Sequence, residues 1–181
     1  MAREPLRPGI VAVLAAGLTV ALAPAPRQDD AAGMQAYAPV TDARLREPHP
    51  GDWLMYRRTY DGWGYSPLDQ ITAENVADLV PTWVFRTGIR DGALQAAPIV
   101  TGNTMFVTTA EQVIALEADS GVLLWRYERS LPSDLRRPHP TNRGVALYDD
   151  KVYVGTLDAH VVALRATTGE VVWERAWTTT A

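Results

Sequence analysis

Residues Met105 to Trp125 align without a gap on Tyr153 to Trp173, 48 positions further on, and this internal repeat limits the fold more than any other feature. The pairs Thr108/Thr156, Val113/Val161, Ala115/Ala163, Leu116/Leu164, Ala118/Ala166, Gly121/Gly169 and Trp125/Trp173 are identities. A weaker match extends upstream, pairing Pro98-Ile99-Val100 with Ala146-Leu147-Tyr148. A further Trp, Trp83, stands 42 residues before Trp125 in Leu79-Val80-Pro81-Thr82-Trp83-Val84-Phe85, as if ending an earlier unit. Inside one unit the runs Ala97–Val100, Thr104–Thr108, Gln112–Glu117 and Val122–Arg126 are short and β-branched or apolar. Turn residues separate them: Thr101-Gly102-Asn103, Ala110-Glu111 and Ala118-Asp119-Ser120-Gly121. Four short antiparallel strands in about 45 residues match a propeller blade. The recurring Gly supplies a positive φ for a hairpin, and the recurring Trp can cover the gap between adjacent blades. The expected fold is therefore all-β, a partial β-propeller of about two blades plus a leading strand. A β-sandwich is the competing arrangement, but it does not explain a Trp that returns in register with its Gly. Propellers close with 4–8 blades, so residues 51–181 are expected to be the N-terminal part of a larger ring.

The N-terminus follows other rules. Arg3 and Arg7 precede an uncharged run from Ile10 to Ala23, which is short for a bilayer span of roughly 20 residues. Residues 1–25 are expected to be a secretory signal peptide, with a retained anchor as the alternative. Residues 26–50, rich in Ala, Pro, Asp and Arg, are expected to be an extended linker. This organisation points to export and a periplasmic location. The sequence has no cysteine, so disulfides and thiolate metal sites are excluded. A net charge of −4 with scattered basic residues gives no sign of a nucleic-acid partner.

Two stretches, Ala115 to Trp125 and Ala163 to Trp173, resemble the tryptophan-docking motif of pyrroloquinoline quinone (PQQ) repeat proteins. Asp52-Trp53-Leu54-Met55-Tyr56 through Ser66-Pro67-Leu68, followed by Gln70 to Leu79, resembles the opening segment of the PQQ-dependent alcohol and glucose dehydrogenases. Asn142-Arg143-Gly144-Val145-Ala146-Leu147 and Val152 to Ala159 resemble that family's sequence near its cofactor. The resemblance covers about residues 50 to 177. It implies an eight-bladed propeller with PQQ and Ca²⁺ on its axis, and oxidation of an alcohol or sugar by hydride transfer to the quinone. It further implies a carboxylate base, a Lewis-acid Ca²⁺, and an electron acceptor, either a cytochrome or a quinone. The Ca²⁺ ligands and the base belong to later blades, beyond this chain.

Three residues carry the implied cofactor contacts. Arg143 occupies the family's Asn-Arg-Gly position, where an Arg meets an acidic group of PQQ, and a guanidinium can hold a carboxylate bidentately. The alternative is a surface or blade-bridging Arg. Alcohol-type relatives place two adjacent cysteines just before Asn-Arg-Gly, where their disulfide stacks on the quinone. Here the sequence reads Arg137-Pro138-His139-Pro140-Thr141-Asn142-Arg143-Gly144. This resembles the membrane glucose dehydrogenase branch, in which a histidine stacks, so His139 takes that role between two backbone-stiffening prolines. An exposed loop histidine is the alternative. Gln95 precedes Ala96-Ala97-Pro98 where many relatives have a cofactor-contacting Glu; it keeps the reach and loses the charge.

Other candidates carry less. Asp158 reads as a hairpin turn residue, and His49 and His160 lack metal-ligand spacing. No catalytic residue is identified. Two further functional readings stand beside the dehydrogenase: a cofactor-free propeller that scaffolds outer-membrane protein assembly, and an inactive truncated piece.

Overall fold

The structure is a computed structural model that describes residues 37–89, 94–136 and 139–177. The expected signal peptide lies outside the described residues, as does most of the expected linker.

Two four-stranded antiparallel sheets follow one another along the chain. The first is built from β1 (Ile99–Thr101), β2 (Thr104–Thr108), β3 (Gln112–Glu117) and β4 (Leu123–Glu128). The second is built from β5 (Ala146–Tyr148), β6 (Lys151–Gly155), β7 (His160–Arg165) and β8 (Val171–Ala176). In both, strand order follows chain order, the up-and-down meander of a propeller blade. Two-residue turns set the first hairpin of each sheet, with Gly102 at φ 54° and Asp149 at φ 53°, left-handed as such turns require. The central strands are the most buried: four consecutive residues of β3 are buried, because both of its faces are covered.

The tryptophans join the sheets as the repeat suggested. Trp125 on β4 donates its indole N–H to the Ala166 carbonyl of the second blade at 2.8 Å, and is itself only 8% exposed. Its ring covers Gly169, where a Cβ would lie 2.5 Å from the indole. No residue but glycine fits there, at φ 73° and in direct contact with the ring. Trp83 repeats the arrangement on the first blade, donating to the Ala118 carbonyl at 3.0 Å and covering Gly121. In each sheet the Trp faces an alanine on the neighbouring strand, Ala115 opposite Trp125 and Ala163 opposite Trp173. A bulge follows at the same place in both, between Ala115 and Leu116 and between Ala163 and Leu164.

The spacing of the repeat differs from a uniform 48. Phe106 faces Ala115 and Tyr153 faces Ala163, and each ring lies against its blade's Trp, at centroid distances of 5.8 and 5.9 Å. Phe106 and Tyr153 are therefore equivalent, and they are 47 residues apart. The outer pairs β3–β4 and β7–β8 keep the 48-residue offset. The extra residue lies in the β6–β7 connection, residues 156–159, against residues 109–111 in the first blade. Thr156 thus corresponds to Thr109: each donates its amide to the first carbonyl of the next strand, His160 at 2.8 Å and Gln112 at 3.0 Å. The Thr108/Thr156 identity and the upstream match at offset 48 are shifted by one residue, which in a strand exchanges the two faces.

The expected linker is folded in its described part. Helix α1 (Asp42–Arg46) is capped by Thr41, whose hydroxyl accepts the Arg44 amide. Val40 is fully buried and pairs with Asp149 at the β5–β6 turn, while Trp53 pairs with Val100 on β1. Arg44 donates to Asp52 at 2.8 Å and to the Thr101 hydroxyl at 2.9 Å, and Asp52 accepts the Gly102 amide at 2.9 Å. The segment lacks strand or helix periodicity because its anchors, Val40, Leu45 and Leu54, sit at irregular intervals. They join one core with Ile99, Phe106, Trp125 and Val162 that runs through both blades. Residues 56–89 add one 3₁₀ turn (Val76–Asp78), and many of their apolar side chains are exposed.

Candidate functional site

The approaches to β1 and β5 run side by side. A Cβ built on Gly144 would lie 3.7 Å from that of Ala96, so Gln95-Ala96 and Arg143-Gly144 are neighbours at the same end of adjacent blades. Gln95 and Arg143 are both exposed at this end.

Asn142 builds the turn that presents Arg143. It is 9% exposed, its amide donates to the Gly155 carbonyl at 2.8 Å, and its Oδ1 accepts the Gly144 amide at 2.9 Å. The second bond closes an Asx turn around Arg143, and Gly144 follows at φ 115°, open to glycine and strained for other residues. Arg143 is thereby held at the apex with its side chain outward. Among the described residues it has no hydrogen-bond or ion-pair partner. An exposed guanidinium without a carboxylate partner suits an anionic ligand group. This is the observation against which PQQ, an acidic quinone, can be tested, and the residue fits.

His139 lies four residues upstream, with its carbonyl accepting the Thr141 amide at 2.8 Å. It is exposed. Its neighbour Pro138 lies outside the described residues, so only Pro140 of the proline pair is described. The structure joins Gln95 and Arg143 through the Ala96–Gly144 contact and leaves His139 linked to them through the chain alone. A cleft of about 560 Å³ lies elsewhere, bounded by Trp53, Tyr56, Arg57, Trp63 and Pro98, and none of the three expected residues lines it.

Behind the Asn142 turn is a blade-bridging arginine, and it is Arg129. From the end of the first blade its Nε donates to both Asp158 oxygens, at 2.9 and 3.0 Å, and its Nη2 to Oδ2 at 2.6 Å. Its Nη1 reaches Glu174 on β8 at 2.9 Å. The Arg129 hydrogen bonds hold the Asp158 carboxyl well below the usual carboxylate range, against the opposing effect of burial. The same bonds raise the guanidinium above its ordinary value. Asp158 is thus a turn residue that also locks the blades. Arg129 and Asn142 share the wall of one small cavity, of about 10 Å³, so the lock abuts the turn that carries Arg143. Sequence reading missed both roles. The Asn-x-Gly spacing held a signal for Asn142, whereas Arg129 lies in Glu128-Arg129-Ser130 with no pattern around it.

These features define a class: a propeller-repeat protein with tryptophan-locked blades and a cation presented at one end of adjacent inner strands. Residues 53–176 match the family model described as PQQ, glucose/ethanol/alcohol dehydrogenase, beta-propeller domain. The dehydrogenase subunit of alcohol dehydrogenase (quinone) from Gluconobacter oxydans is 40% identical over 129 residues, covering 69% of this chain and 17% of the relative. Quinohemoprotein alcohol dehydrogenase ADH-IIG from Pseudomonas putida is 38% identical over 181 residues, covering 96% of this chain and 24% of its own length. The solved structure of ADH-IIG from Pseudomonas putida HK5 superposes with a TM-score of 0.70 at 36% identity, covering 78% of this chain and 21% of that one. The chain belongs to the PQQ-dependent alcohol dehydrogenase propeller family. It spans about a fifth of the length of these relatives.

Proposed function

We propose that this chain forms one side of the cofactor pocket in a PQQ-dependent dehydrogenase that oxidises alcohols or sugars. The observation that carries the reading is the exposed Arg143, without a hydrogen-bond or ion-pair partner among the described residues and held at the apex of the Asn142–Gly144 turn beside Gln95. In this reading Arg143 binds a PQQ carboxylate, Gln95 hydrogen-bonds the cofactor, and His139 lays its imidazole on the quinone face. Bound PQQ supplies a two-electron acceptor for hydride from the substrate carbon. The protein's part is orientation and electrostatics: Asn142 fixes the turn that carries Arg143, and Arg129–Asp158 ties the two blades behind it. The Ca²⁺ that would polarise the quinone takes its ligands from polypeptide beyond these residues. The substrate-derived electrons pass to a cytochrome or a quinone, and the protein works in the periplasm, a reading supported by the signal-like N-terminus.

The test is a chimera in which residues 37–177 replace the aligned part of ADH-IIG, loaded with PQQ and Ca²⁺. Dye-linked oxidation of ethanol and glucose is measured together with PQQ affinity. Arg143→Ala is expected to weaken PQQ binding about 10- to 100-fold, the worth of one charge-assisted hydrogen bond. His139→Ala is expected to weaken it about tenfold or less. Unchanged affinity in both variants contradicts the assignment.

A further inference from the structure

The end of the blades opposite Arg143 holds a recess of its own. A cavity of about 340 Å³ opens between the β1–β2 turn and residues 37–52, with Tyr37, Arg44, His49, Asp52, Asn103 and Thr104 on its walls. Gln95 precedes β1 and Gly102 follows it, so the strand itself separates this recess from the end that carries Arg143. Its size lies at the lower end of the range for small-molecule sites, about 300–1,000 Å³, and suits a single sugar ring.

Charge is settled within the walls. Arg44 commits Nη1 to the Ala38 and Pro39 carbonyls at 2.6 and 3.0 Å, and Nη2 to Asp52 and the Thr101 hydroxyl at 2.8 and 2.9 Å. The Asp52 carboxylate accepts that Nη2 and the Gly102 amide, and its side chain is 5% exposed. An anion therefore meets a guanidinium already paired, and a cation meets a carboxylate already paired. What remains is neutral and polar. Asn103 spends Oδ1 on the Asp119 amide at 3.0 Å, which leaves its Nδ2 donors. His49 accepts the Gly51 amide at Nδ1, 3.3 Å away, which puts the ring N–H on Nε2. The Tyr37 hydroxyl is buried without a hydrogen-bond partner among the described residues. Burial pushes its pKa up to about 12, so it stays a neutral phenol. Thr104 adds a hydroxyl that can give or take a hydrogen bond.

We propose that this recess binds a neutral monosaccharide at a site separate from the cofactor end. A sugar matches the walls in kind: its hydroxyls donate and accept, it carries no charge, and its C–H face can lie on an aromatic ring such as Tyr37. The walls also need little ordering, because Arg44 and Asp52 already tie residues 37–52 to Thr101 and Gly102. The competing occupant is water alone.

Titration of the full chain with glucose, followed by amide NMR without PQQ or metal, tests this independently of the cofactor assignment. Saturable shifts at Tyr37, Gly102, Asn103 and Thr104 are expected, with a Kd of about 1 mM. Gluconate and glucosamine, each charged at neutral pH, are expected to bind about tenfold more weakly or worse. Tyr37→Phe removes only the hydroxyl, and Asn103→Asp keeps the acceptor for the Asp119 amide while removing the donors. Each is expected to weaken glucose about three- to tenfold, the worth of one hydrogen bond. Shifts that stay linear up to about a hundred times the expected Kd overturn the proposal in favour of a merely hydrated recess. Saturable shifts at Gln95 and Gly144 instead overturn it too, as does gluconate binding as tightly as glucose. Affinity unchanged in both variants overturns the assignment of the walls, and where a variant does not fold, the shifts in the native chain decide.

Discussion

Asn142 satisfies a backbone donor and a backbone acceptor at once, through the two separate atoms of its amide. Asn142→Ala strips a partner from the Gly155 carbonyl and the Gly144 amide, at a cost of about 1–3 kcal/mol. Asn142→Asp keeps the acceptor for Gly144 and loses the donor, so it is expected to fall between Ala and the native residue in urea midpoint. PQQ affinity of the chimera should follow the same order, because the turn orients Arg143; an order scrambled between stability and affinity would separate the two. The second residue-scale device is Arg129–Asp158. Its side chains are 13% and 11% exposed, so breaking the pair leaves a nearly buried charge, and Asp158→Asn is expected to cost about 3 kcal/mol. The Asp158 pKa is depressed in the folded chain, so its contribution is present above the ordinary Asp value of about 3.9. It is lost as pH falls through the depressed folded value. The gap between the native protein and Asp158→Asn should therefore be full near pH 7 and shrink steadily below about pH 4. A gap independent of pH contradicts this. At this scale the sequence was legible where one residue speaks through a motif, as in Asn-Arg-Gly. It was illegible for Arg129, whose partners lie 29 and 45 residues away.

Among the strands, the two blades differ by one residue in one loop, and that residue accounts for most of what the repeat alone misplaced. Strand positions were readable because apolar runs and turn residues alternate cleanly, and β2 and β3 coincide with the runs read from sequence. The ungapped alignment slid β2 past β6 because identical Thr residues happened to fall 48 apart, while the contacts pair Phe106 with Tyr153. The segment from residue 37 to 55 was illegible for a different reason. Its stability comes from isolated anchors and the Arg44–Asp52 pair, which no periodicity announces. The docking glycines give the sharpest test of element packing. At Gly169 an added Cβ would meet the Trp125 indole at 2.5 Å, while at Gly102 it would meet nothing within 4 Å. Both have positive φ, so Gly102→Ala is expected to cost only the backbone penalty of about 1 kcal/mol. Gly169→Ala adds displacement of the indole and loss of its bond to the Ala166 carbonyl, for about 3 kcal/mol or more. Equal urea midpoints for the two variants would show that Trp125 does not lock the blades.

For the molecule as a whole, family membership and blade architecture were legible because the repeat and the opening segment are long, specific patterns. The proposed cofactor contacts rest on the family resemblance of Gln95, His139 and Arg143, three positions among residues that span about a fifth of the relatives' length. The two blades share one core and the Arg129 lock, and this frame sets Arg143 and Gln95 at the same end of adjacent blades. The most direct measurement is a crystal structure of the chimera with PQQ and Ca²⁺ bound. The Arg143 guanidinium is expected within about 3 Å of a PQQ carboxylate oxygen, with Asn142 still bonded to Gly144. A cofactor bound elsewhere, with Arg143 pointing into solvent, would contradict it.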